Sequence, residues 1–117
     1  MYLDGCWYEL TIKPALIPSN NPLHALDVEL FSAYILEPLL GIKDQRRDPR
    51  IDFVGGIHSF NELEQRIHNK KAVVAFALFP TTMQELLTIA DAHLIMPPKS
   101  TWFEPKLADG LICYGYN

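Results

Sequence analysis

Cysteine is nearly absent from this chain: Cys6 and Cys113 are the only two in 117 residues, and they stand near opposite ends. A small secreted scaffold stapled by disulfides carries more of them at closer spacing, so that class is excluded. The two are read as thiols buried on strands, with a bridge between paired terminal strands as the alternative. Long apolar runs are missing as well. The longest, residues 72–80, has the length of a strand and falls short of the ~18 residues of a membrane helix. The first residues lack a basic start, and Asp4 lies where an export signal would need its apolar stretch. The expectation is a cytoplasmic protein with no membrane partner.

Basic charge is also in short supply. Ten Lys and Arg stand against 14 Asp and Glu, a net charge of −4, which argues against nucleic acid as a partner because phosphates must be neutralised. The four histidines, His24, His58, His68 and His93, show no metal-ligand spacing, and no Cys-x-x-Cys pair is present, so no metal is expected. There is no Gly-x-Ser-x-Gly elbow for a serine nucleophile and no glycine-rich Walker approach. Nothing in the sequence names a reaction.

What is present suits one globular domain over residues 1–117: 49% of residues are hydrophobic and 21% charged, enough to build a core and exclude disorder. Residues 7–12 alternate, with Tyr8, Leu10 and Ile12 on one side, and read as a half-buried strand opening after the turn dipeptide Asp4-Gly5. Asp-Gly is a hairpin signal, yet no strand is evident in front of it. Residues 13–24, with Pro14, Pro18 and Pro22, form a linker. Residues 27–40 read as a helix capped by Asp27, kinked or ended by Pro38 and stopped by Gly41. That helix is apolar nearly all round, so it should be buried on several sides or serve as an interface. Together with the unpaired first strand, this suggests a C-terminal piece of a longer protein.

Residues 42–50 are a charged loop in which Asp44 and Asp48 partly cancel Lys43, Arg46, Arg47 and Arg50. Residues 51–54 read as a short strand ended by Gly55-Gly56, and Ser59 with Glu62 as a capping box opening a helix from Phe60 to His68, with Asn69 as its left-handed cap. The unbroken apolar run 72–79 predicts a central strand covered on both faces. Thr81 or Thr82 caps a further helix whose core stripe is Met83, Leu86, Leu87 and Ala90. Residues 94–96 and 111–116 complete the strands. The expected fold is α/β, with α+β as the neighbouring class: a mixed four- to five-stranded sheet with about three packed helices, strands 51–54 and 72–79 running parallel.

Two segments have the residue types for chemistry. Pro97-Pro-Lys-Ser-Thr-Trp-Phe-Glu-Pro-Lys106 is stiffened by three prolines and presents Lys99, Lys106, Ser100 and Thr101, the charges and hydroxyls that a phosphate or carboxylate needs. The alternative is a structural strap whose aromatics plug the core. Gly55, Gly56 and His58 lie between a strand end and a helix start, where an anion nest can form, and His58 could hold or move a proton. The plainer reading is a tight turn with an exposed histidine. Residues 79–82 occupy the equivalent end of the next strand.

The strings at 35–42, 51–56, 72–80 and above all Ile95-Met-Pro-Pro-Lys-Ser-Thr-Trp-Phe-Glu-Pro-Lys-Leu107 resemble the C-terminal third of the domain-of-unknown-function family numbered 1015, over nearly the whole chain. Members of that family are longer and carry an upstream Asp-Gly-His-His-Arg-Tyr string that is absent here. It is similar to the nucleotide-binding box of partition-protein-like folds, a group that includes free-serine kinases. The resemblance implies a nucleotide as cofactor of the full-length protein, a link to serine metabolism and a small anionic ligand. In that case Lys99, Ser100, Thr101 and Lys106 would form one wall of a composite site, and Gly55, Gly56 and His58 the other. The partner is then the missing N-terminal part of the same polypeptide or, failing that, a second copy in a homodimer. The alternative is a structural or oligomerisation domain without catalytic activity of its own.

Overall fold

The computed structural model describes residues 1–55, 60–98, 100 and 101. The chain starts with the hairpin that Asp4-Gly5 signals. Asp4 (φ 49) and Gly5 (φ 81) both take left-handed backbone, which a two-residue turn of this twist requires, and they join β1 (Tyr2–Leu3) to β2 (Cys6–Trp7). The strand before the turn is therefore present, and it is too short to show periodicity. The predicted strand 7–12 shrinks accordingly. Past Trp7 only Tyr8 continues the ladder, its N–H donating to the Met1 carbonyl at 2.7 Å while the Met1 ammonium donates to the Tyr8 carbonyl at 2.8 Å. Cys6 is exposed, not buried, and Cys113 lies outside the described residues.

The linker holds two short 3-10 turns, Pro14–Leu16 and Pro22–Ala25, each with a proline near its start where no N–H is needed. A continuous helix then runs through three segments: α1 (Asp27–Phe31), a π-helical stretch (Ser32–Leu36) and α2 (Glu37–Leu40). Asp27 sits in the first turn, and the N-cap position falls to Leu26, which has no side-chain bond to offer. Pro38 neither ends the helix nor needs a sharp kink. The π-helical widening just upstream makes room where the proline ring would otherwise meet the preceding turn. Gly41 (φ 66) stops the helix as predicted.

Helix α3 (Phe60–His68) matches its predicted span, while Ser59 of its proposed capping box lies outside the described residues. Its left-handed cap is Lys70 (φ 56), one residue beyond Asn69. The N–H groups of Lys70 and Lys71 donate to the carbonyls of Ile67 and Arg66, both at 2.9 Å, a Schellman ending. Helix α4 (Met83–Asp91) opens on Thr82, one of the two predicted caps, in a capping box with Glu85. Thr82 Oγ1 accepts from the Glu85 N–H at 3.2 Å, and the Glu85 carboxylate accepts from the Thr82 N–H at 2.7 Å. The helix ends on His93 (φ 54) in a second Schellman arrangement.

The sheet departs most from expectation. Among the described residues it has three antiparallel strands in the order β2-β1-β3, and β3 is only Val74–Ala75, with Leu3 opposite Val74 and Tyr2 opposite Ala75. Residues 51–55 and 94–96 form no strand, so no parallel crossover joins 51–54 to 72–79, and the predicted strand 111–116 lies outside the described residues. The class is mixed α and β. The apolar run 72–79 is not covered on both faces: Val73 is 82% and Phe79 81% exposed. An unbroken apolar run implied two covering layers, but only Val74–Ala75 of it is strand and residues 77–79 are exposed.

The core comprises Tyr2, Leu26, Leu30, Leu36, Ile42 and Ile89, with Phe31 packed on Phe76 at a ring separation of 4.7 Å. Helix 27–40 therefore buries one face and leaves Leu39 and Tyr34 exposed. In α4 the inward residue is Ile89. Met83, Leu87 and Ala90 of the predicted core stripe are exposed and Leu86 is half-buried.

Candidate functional site

A cleft of about 120 Å³ lies where α1 and α4 begin, and it contains the candidate loop's Ser100. The other polar groups lining it are Asp27, Thr81 and Glu85, set among Leu78, Phe79 and Pro80. Thr81 Oγ1 donates to the Ser100 carbonyl at 2.8 Å, which ties the loop to the end of the apolar run. The expected approach of loop 99–106 to residues 55–58 falls largely outside the described residues. Ser100 Oγ donates to the Pro97 carbonyl at 2.6 Å, so its single hydroxyl proton is engaged within its own loop and its lone pairs remain to accept. Thr101 is half-buried beside it.

The charges described in this cleft are negative. Asp27 and Glu85 occupy the first turns of the two helices, where the positive ends of the helix dipoles favour carboxylates. An external anion would have to share the cleft with both. Gly55 is half-buried and is not part of the cleft lining, while Gly56, His58, Lys99 and Lys106 lie outside the described residues.

A second groove, of about 490 Å³, runs along α3 and is polar throughout: Asp52, Asn61, Glu62, Gln65, Arg66, Asn69 and Lys71. Its guanidinium is engaged. Arg66 Nε and Nη2 donate to the Glu62 carboxylate at 3.2 and 2.8 Å, and Nη1 pairs with Asp52. Donating to the Glu62 and Asp52 carboxylates raises the Arg66 pKa above its ordinary value.

The charged loop serves the fold. Arg50 donates to the carbonyls of Leu40 and Gly41 at 3.1 and 3.2 Å, capping the end of α2, and pairs with Asp48 at 2.6 Å. Hydrogen bonds from the Arg50 side chain and backbone hold the Asp48 carboxyl down at about 2. Arg46 likewise pairs with Asp44, whose pKa is lowered chiefly by the backbone hydrogen bond from Arg46. The carboxylates between the arginines carried that signal in the sequence.

His68, read as a helix-end histidine, also shares a 3.1 Å hydrogen bond with the buried Tyr2 hydroxyl. Trp7 Nε1 donates to Glu64 at 2.7 Å, and its ring meets those of Phe60 and Tyr2 at 5.2 and 5.1 Å. These contacts seat the hairpin on α3. Spacing gave no sign of the contacts to α3, because their partners are distant in sequence.

Among the described residues no group of three or more His, Cys, Asp or Glu lies together to hold a metal, and no helix is long and apolar enough to cross a membrane. Compared with known protein families, curated proteins and solved structures, the chain matches none.

Proposed function

We propose that this chain is an assembly domain, with a structural rather than a catalytic role. The observation that carries this reading is the set of exposed apolar side chains Val73, Leu78 and Phe79 on the run 72–79 and Met83 and Leu87 on α4. Exposed apolar surface of this kind is a feature of protein–protein contacts. The partners in this reading are a second copy of the chain or, if the likeness to the 1015 family holds, an upstream part of a longer polypeptide. The four- to five-stranded sheet belongs to the same proposal, since a partner would add strands to the three present. Light scattering across a hundredfold concentration range tests it. The expected result is a mass that rises with concentration and stays monomeric in Phe79→Asp; a wild-type monomer throughout would overturn self-assembly.

A second reading is favoured by the Thr81–Ser100 contact, which ties the lysine-bearing loop to the start of a helix. Here Lys99 and Lys106 neutralise a small anion, Ser100 and Thr101 bond it, and Gly55, Gly56 and His58 form the far wall, with a nucleotide bound by the full-length protein. Calorimetric titration with inorganic phosphate tests this. Saturable heat that vanishes in Lys99→Ala/Lys106→Ala supports it, and the same heat in that variant refutes it.

A further inference from the structure

The exposed run has a charge pattern that specifies its partner. Strand β3 is an outer strand of the sheet, and among the described residues nothing pairs with its far side. From Ala72 to Phe79 there is no charge and no proline, although outer strands ordinarily carry one or the other as protection against pairing. The charges stand at the two ends. Lys70 and Lys71, both exposed, precede the run. Asp27 and Glu85 line the cleft at Pro80 and Thr81, where it ends.

An edge that is positive at its start, apolar along its length and negative at its finish is complementary to itself in one orientation only, antiparallel. We infer that two copies of the chain pair through the free edge of β3, antiparallel about a two-fold axis at Phe76, so that opposite side chains share a face. This rests on the assembly reading above and gives it a partner and a register. Lys71 of one copy then lies opposite Thr81 of the other, and Lys70 opposite Thr82. Both lysines come beside the Asp27 and Glu85 carboxylates, and symmetry repeats the match. A parallel pairing would set lysines on lysines. The β-branched and aromatic residues of 72–79 suit a strand once their backbone gains a partner. Pro80, which cannot donate to a ladder, limits the pairing at its end. Use of the β3 edge consumes it, so association stops at two.

Hydrogen exchange read by mass spectrometry, at concentrations spanning the association, tests the pairing together with a charge reversal. The expected result is a species of twice the monomer mass in which amides of 72–79 gain protection, with Lys70→Glu/Lys71→Glu weakening association about tenfold. Lys71→Gln, a milder change, should weaken it less and confirms that charge is the cause. A dimer whose protection falls outside 72–79, or one indifferent to charge reversal, overturns the pairing while the assembly reading stands. Open-ended oligomers also overturn it. A monomer at every concentration removes both.

Discussion

His93 and Lys70 occupy backbone that ordinary side chains avoid, at φ 54 and 56, and each closes a Schellman ending. Glycine takes this conformation without a Cβ penalty. His93→Gly and Lys70→Gly are each expected to stabilise the fold by about 0.5–1 kcal/mol, read as a higher urea midpoint with unchanged slope. The sequence offered Asn69 as the cap, and the residue after it took the role, because the hydrogen-bond pattern and not the residue type fixes which position turns left-handed.

The Asp48–Arg50 pair adds a pH dependence. With a folded pKa near 2, the Asp48 carboxyl lies below its unfolded value of about 3.9. Its contribution is therefore complete above pH ~4 and is lost as pH falls toward 2. Asp48→Asn should flatten the acid limb of a stability–pH curve, and an unchanged limb would show that the pair contributes nothing.

At the scale of elements, helices were legible and strands were not. Capping residues and periodic apolar positions lie within a few residues of one another, so the span of α3 could be read directly and the cap of α4 narrowed to Thr81 or Thr82, of which Thr82 takes the role. Thr82→Ala should lower stability by about 1 kcal/mol, measured by urea denaturation. Strands depend on partners distant in sequence. Tyr2–Leu3 pairs with both Cys6–Trp7 and Val74–Ala75, and two-residue strands give no period to detect. Which face of α4 turns inward was likewise settled by packing: Ile89 is buried, and Met83 and Leu87 of the apparent stripe are not. Of the candidate site, chemistry pointed to the loop and the structure describes its tie to Thr81. The two carboxylates of that cleft stand at helix starts, where a carboxylate is expected for reasons unrelated to a cleft. Tyr2→Phe, which removes the bond to His68, should cost about 1 kcal/mol by the same measurement.

For the whole molecule, the radius of gyration of 17.3 Å exceeds the ~13 Å of a compact domain of this length. The core is small, and much apolar surface lies outside it, on the run 72–79, on α4 and at Ile95. Association that covers this surface should raise apparent stability with concentration. A melting temperature that climbs on concentrating the wild type, and not in Phe79→Asp, would show the link.

The seating of Trp7 also makes the chain its own optical sensor. The sequence has two tryptophans, so Trp102→Phe leaves the indole at position 7 as the sole emitter. That ring is hydrogen-bonded to Glu64 and packed between Tyr2 and the edge-on Phe60, so lifting the hairpin from α3 changes its emission without any label. Stopped-flow fluorescence can then time the docking of the first eight residues separately from the rest of the fold.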